Sequence, residues 1–171
     1  MIDCQNTYRE GVMKLVGVEA ALTEAKTLLE RARRAGVPIF HVRHDAGAGS
    51  PYDLTTRIGQ ISDEVAPRDG EPVITKQYPN SFVQTDLERQ LRAAGVTNMI
   101  LAGFMTHMCV NSTARGAFNL GFQPTVVAAA TATRDLPGED GIVSAASLQA
   151  ASLAALRDLF AVVVRDAGQI S

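Results

Sequence analysis

The sequence predicts an α/β fold, with helices covering both faces of a parallel sheet of roughly six strands in a three-layer, Rossmann-like arrangement. Three observations carry this. Stretches with apolar residues three or four apart alternate with short, β-branched apolar runs, glycines stand where the helices would stop, and the alternation repeats along the whole chain. Strands that alternate with helices connect through right-handed crossovers, which makes the sheet parallel.

Taken in order, the first helix spans Val16 to Ala35, where Val18, Ala21, Leu22, Ala25, Leu28, Leu29, Ala32 and Ala35 form one apolar stripe among Glu and Arg residues, and Gly36 ends it. A strand follows over Val37 to Val42, with Pro38 at its edge. Val73 to Thr75, Met99 to Ala102, Thr125 to Ala130 and Val162 to Val164 read as further strands. Helices are expected over Thr85 to Ala94, Val110 to Leu120 and Ile142 to Phe160. Thr85 and Glu88 have capping-box spacing, and Gly95 and Gly121 are placed to terminate helices. At the start, Met1 and Ile2 are the only apolar residues before a polar cluster, so the first strand reads as truncated at the N terminus: either the natural chain extends upstream or this strand is unusually short. The segment from His44 to Pro72 lacks sustained periodicity and is long for a connection, which predicts a functional loop or lid beside the site.

A chain of 171 residues, 46% of them hydrophobic, suits one compact domain over 1–171. A net charge of −2 with both signs interspersed offers no basic face for nucleic acid or anionic lipid, so the expected partner is a small-molecule substrate. No apolar run is long enough to span a membrane and no leader pattern opens the chain, so a cytoplasmic location is expected. Cys4 and Cys109 are too few for a disulfide framework and lack the paired spacing of a zinc site.

Ligands of parallel α/β sheets bind beyond the carboxyl ends of the strands. Three reactive side chains are placed there: Asp3 after Ile2, Lys76 after Thr75, and Cys109 at the opening of the helix that follows Ala102. A thiol becomes a nucleophile as its thiolate, which a helix N-terminus, a nearby cation and a base all promote. Cys109, Lys76 and Asp3 supply these parts, so a thiolate is the expected working form. Each residue alone has an ordinary reading: a small buried hydrophobe, a solvated strand end and a turn ligand.

These residues lie in three ordered stretches, Ile2-Asp3-Cys4-Gln5-Asn6, Thr75 to Phe82 (TKQYPNSF) and Gly103 to Val110 (GFMTHMCV), which together resemble the isochorismatase-like cysteine hydrolases. The likeness extends through Ala132-Thr133-Arg134-Asp135 and the closing helix. It implies Asp3 as base and acid, Lys76 as the cation that stabilises the thiolate, and Cys109 as nucleophile in the cleavage of a small amide or carbamoyl C–N bond through a thioester. It also implies a non-proline cis peptide between Met105 and Thr106, with the Thr106 and Cys109 backbone N–H groups facing the oxyanion. Gln5, Tyr78, Phe82, Met105 and His107 are candidates to bind substrate.

Some members of the family, the nicotinamidases, hold a metal through an Asp and two His residues after the second strand. Here that segment is His41-Val42-Arg43-His44-Asp45 and lacks their pattern, so neither a metal nor an organic cofactor is expected, and His41 is read as packed against the sheet. Cys4, adjacent to Asp3, is expected to point to the opposite face without a catalytic part. Relatives usually assemble, so a homo-oligomer is expected. The alternatives are a vinyl-ether hydrolase that acts on isochorismate with Asp3 as general acid, a catalytically silent binding protein of the same fold, and a redox sensor, for which Cys4 would be a poor resolving partner.

Overall fold

The computed structural model describes residues 1–170. Its elements are α1 (Val18–Arg34), β1 (His41–His44), β2 (Val73–Lys76), α2 (Leu87–Ala93), β3 (Asn98–Phe104), α3 (Asn111–Asn119), β4 (Gln123–Ala132), β5 (Leu136–Gly138), β6 (Gly141–Val143), α4 (Ala145–Leu159) and β7 (Val162–Val164). A π-helical turn, Thr106–Val110, leads into α3. β1 pairs with β2, and β4 lies between β3 and β7, all in parallel.

What joins these two groups is the N-terminal segment. Ile2 bridges Val42 on one side and Gly103 on the other, both in parallel register. Its own N–H bonds the Ala102 carbonyl, its carbonyl receives the Phe104 N–H, and the Asp3 N–H bonds the Val42 carbonyl. The order across the sheet is therefore β2, β1, the Met1–Asp3 segment, β3, β4, β7. This first strand is one bridging residue wide. It requires Gly103, which adopts φ +127° and where a Cβ would stand 1.8 Å from the Ile2 carbonyl oxygen. Toward the amino ends of β1 and β3 the gap between them continues as an apolar cavity of about 370 Å³, lined by Met1, Phe40, Leu91, Met99 and Leu101 among others.

Both faces of the sheet are covered. Consecutive strand residues point to opposite sides, so Ala102 and Val127 join Leu22 and Leu29 of α1 in one core, while Leu101 and Val126 join Ala114 of α3 and Leu156 of α4 in another. Leu22, Leu29 and Leu156 are fully buried, each worth about 1.5–3 kcal/mol of transfer free energy. A third cluster packs Val42 and Ile74 under Leu87 and Leu91 of α2 and Phe122.

Several boundaries differ from the sequence reading, for local reasons. β1 begins at His41, because the Val37 N–H is spent on the Ala32 carbonyl in closing α1 and Pro38 has no N–H to give. The capping box at Thr85 does not form. The Thr85 hydroxyl turns back to the Ser81 carbonyl at 2.6 Å, α2 starts at Leu87, and Glu88 pairs with Arg92. Ile142 and Val143 lie in a hairpin with Leu136–Gly138 that the periodicity did not reveal. α4 starts only after Ser144, whose hydroxyl accepts the Ser147 N–H. Among the described residues no helix is long and apolar enough to cross a membrane.

Candidate active site

Asp3 ends the N-terminal segment with φ +48°, a left-handed conformation that Asp tolerates better than most residues. Because of this turn the Asp3–Cys4 step is not extended. The Cys4 side chain is buried in the α1-side core, where burial pushes its thiol up to about 12. Lys76 is the last residue of β2, and its backbone carbonyl receives the Asp45 N–H. Cys109 sits in the π-helical turn, with Met105 and Thr106 just before it. The non-proline cis peptide falls between Phe104 and Met105, one residue earlier than expected.

The topology brings the three side chains together. Lys76 Nζ lies 2.7 Å from Asp3 Oδ2 and 3.4 Å from Cys109 Sγ, and the relative exposures of the three residues are 1%, 0% and 5%. A fourth group, missed in the sequence, completes the set: His44 Nδ1 is 3.1 Å from Lys76 Nζ. An ammonium has three donors and no acceptor, so Lys76 is saturated by a carboxylate, an imidazole nitrogen and a sulfur. This fixes His44 with Nδ1 unprotonated. Burial, then the charge of Lys76, lowers the His44 pKa, which keeps the ring neutral. Its position at the carboxyl end of β1 was the signal available in the sequence, but the histidine was weighed there only as a metal ligand. Among the described residues no group of three or more His, Cys, Asp or Glu side chains is arranged to hold a metal ion.

Burial dominates the electrostatics. It raises the Asp3 pKa, against the lowering effect of Lys76 and of hydrogen bonds from Lys76 and Cys109. No backbone N–H reaches the Asp3 carboxyl oxygens. Burial also pushes the Cys109 thiol up to about 12, with the charge of Asp3 adding to the rise and Lys76 opposing it. These influences favour the protonated sulfur, whereas the sequence reading expects a thiolate. The site as a whole, with one carboxylate, one ammonium and one thiol, is electrically neutral. Moving the thiol proton to Asp3 leaves that sum unchanged, so no net charge has to enter or leave the buried site.

The other candidate residues have varied fates. Gln5 is not free for substrate: Oε1 accepts the His44 N–H at 2.8 Å, and Nε2 donates to the His44 carbonyl at 3.0 Å and the Gly59 carbonyl at 2.6 Å. Asn6 is similarly occupied by the Arg57 carbonyl and the Ser62 hydroxyl. These two residues hold the 45–72 segment against the site, and Tyr52 of that segment packs edge-on to His44 with ring centroids 4.8 Å apart. Phe82 stacks on Phe122 and belongs to the α2-side core, Met105 is buried against Phe104 and Tyr8 in the α1-side core, and Tyr78 stays 44% exposed. Phe82 and Met105 thus both pack among core side chains. His107 is half-buried, with Nδ1 2.5 Å from the Thr133 hydroxyl. Thr106 opens the π-helical turn, where first-turn N–H groups lack partners within the helix. His41 is buried and hydrogen-bonded to Glu71 at 3.0 Å, remote from this cluster at the other end of β1.

The chain belongs to the isochorismatase family of hydrolases, since the isochorismatase domain model matches residues 1–167. A crystal structure of an isochorismatase from Pseudomonas putida KT2440 superposes with a TM-score of 0.97 at 39% identity, covering 99% of this chain and 88% of that one. A secreted isochorismatase effector of Verticillium dahliae is 39% identical over 165 residues, 96% of this chain and 85% of its own. Streptothricin hydrolase of Streptomyces noursei is 32% identical over 170 residues, 98% of this chain and 62% of its own. Proteins named as amidohydrolases also match. The secreted relative shows that family membership alone does not fix the compartment.

Proposed function

We propose that this protein hydrolyses a C–N bond of a small amide or carbamoyl compound, with Cys109 as nucleophile, Asp3 as base and then acid, and Lys76 as the cation that stabilises the sulfur anion. The observation that carries this reading is the buried contact of Lys76 Nζ with both Asp3 and Cys109. Such a costly arrangement of buried charge beside a thiol has no packing rationale.

The reaction runs as a charge-neutral relay. The Cys109 proton passes to Asp3 as Sγ forms a bond to the carbonyl carbon, and the carbonyl oxygen takes the negative charge facing the Thr106 and Cys109 N–H groups. When the intermediate collapses, the C–N bond breaks, the Asp3 proton goes to the leaving nitrogen, and a thioester remains on Cys109. Asp3, again a carboxylate, accepts a proton from water while the water oxygen bonds the thioester carbon. The C–S bond then breaks, and the proton returns to Cys109. Lys76 keeps its proton throughout and sets the energy of whichever partner is anionic. Cleaving a vinyl ether would need an acid but no nucleophile, so the sulfur at this position favours acyl transfer.

Incubation with short primary amides followed by intact-protein mass spectrometry is expected to show an acyl adduct on Cys109. The Cys109→Ala protein should be folded, unmodified and inactive. An adduct on Cys4, or turnover that survives in Cys109→Ala, would overturn the reading.

A further inference from the structure

Lys76 serves both partners of the relay, yet its own placement rests on a residue to which the relay assigns no part. His44 ends β1, and the β1–β2 register sets it directly opposite Lys76, so the two side chains leave the sheet together. The contact of His44 Nδ1 with Lys76 Nζ, at 3.1 Å, takes up the ammonium proton that Asp3 and Cys109 leave over. With that proton unmatched, the buried ammonium would carry an unsatisfied donor, a cost that a turn of Nζ away from the sulfur could relieve.

His44 is itself held from several directions. The Gln5 carboxamide closes a two-point clamp on its backbone, accepting the His44 N–H at 2.8 Å and donating to the His44 carbonyl at 3.0 Å. The same Gln5 nitrogen donates to the Gly59 carbonyl at 2.6 Å, at a glycine where an added Cβ would stand 2.2 Å from the Asp53 carbonyl oxygen. The His44 ring lies edge-on to Tyr52, whose hydroxyl receives the Tyr8 O–H at 3.3 Å. Packing alone would call for the ring contact and not for the clamp. The clamp fixes where Nδ1 points.

The charged groups that face the ring are Lys76 on β2, Asp3 on the N-terminal segment and Asp45 next in the chain. Burial first, then Lys76, lowers the His44 pKa, and the two acids oppose the fall. Only a neutral ring with its proton on Nε2 can accept from Lys76. A protonated ring has no acceptor nitrogen and would set a second cation beside the first.

Resting on the hydrolase reading above, we propose that His44 is a positioning residue for that reaction: its Nδ1 holds the Lys76 ammonium between Asp3 and Cys109, and the Gln5 carboxamide aims Nδ1 by clamping the His44 backbone.

Two substitutions with opposite defects separate this role from packing. Asn carries Oδ1 where histidine carries Nδ1, so it keeps the acceptor and gives up the ring, whereas Phe keeps the ring against Tyr52 and gives up the acceptor. In His44→Phe, kcat for a short amide is expected to fall by about ten- to a hundredfold, the range of one lost hydrogen bond to a charged group, with KM little changed. His44→Asn should recover most of that loss. A Phe variant as active as the Asn variant, or more so, would overturn the proposal, as would a loss carried by KM. A second measurement needs no turnover. Long-range proton–nitrogen NMR spectra of histidine-labelled protein, with its three histidines assigned by substitution, should show the His44 ring neutral near pH 7 with its proton on Nε2. A proton on Nδ1 in a protein that cleaves amides sinks this proposal and leaves the hydrolase standing. The expected tautomer in a protein that cleaves no amide refutes the hydrolase reading and leaves the hold of His44 on Lys76 supported.

Discussion

β1 carries a histidine-centred charge cluster at each end, and the two are built to opposite purposes. At its amino end His41 bonds Glu71, which also takes two hydrogen bonds from Arg33 at 2.8 Å and one from the Arg68 N–H at 2.9 Å. Those donors, the Arg33 contact foremost, hold the Glu71 carboxyl down at about 2, and burial holds His41 at about 4. At its carboxyl end Asp3 has an ammonium but no backbone donor, and its pKa is raised. One carboxylate is held firmly ionised and is structural. The other, raised by burial, is suited to accept a proton from a neighbouring thiol, as the base-then-acid role proposed for it requires.

The comparison breaks most visibly at Asp3. Asp3→Asn keeps the shape but cannot take a proton, and kcat/KM is expected to fall by about 10⁴-fold in a steady-state amide assay. Lys76→Met comes next. It leaves a buried carboxylate alone, so urea unfolding near pH 7 should show a loss of about 3–5 kcal/mol, with Asp3 shifted further toward its protonated form.

At the other end of the strand Glu71→Gln should cost about 1–3 kcal/mol by the same measurement while amide turnover is retained, because the cluster lies away from Cys109. The pH dependence sharpens this contrast. His41 titrates near 6.5 when unfolded and about 4 when folded, so its stabilising contribution is complete above 6.5 and is lost as the pH falls toward 4. Glu71 moves from 4.5 to about 2, and its contribution is lost over that lower window. Urea midpoints should therefore decline in two overlapping steps below pH 6.5, and the lower step should vanish in Glu71→Gln. The smallest effect belongs to Ser144→Ala, where loss of the α4 cap should cost about 1 kcal/mol.

Much of this was legible in the chain. The three catalytic candidates stand at strand ends and supply a nucleophile, a cation and a base, but it is the likeness of the three ordered stretches around them to the isochorismatase-like hydrolases that outweighs their ordinary readings. The helices α1 and α3 and the strand β7 were legible because their apolar spacing is strong and their terminal glycines or short length leave little choice. The hairpin of β5 and β6 was not, since Ile142 and Val143 are exposed there and extend a helical-looking pattern by accident.

What the sequence determined by itself was the layered α/β architecture and the set of reactive groups, because periodicity, capping and residue chemistry are local properties. Tertiary structure alone decided that His44 completes the coordination of Lys76, that the Gln5 amide braces a loop, and that burial raises the Cys109 thiol. Each of these depends on distance and burial between segments far apart in the chain. The energy of a charge is set by what surrounds it, and its neighbours along the backbone do not reveal that.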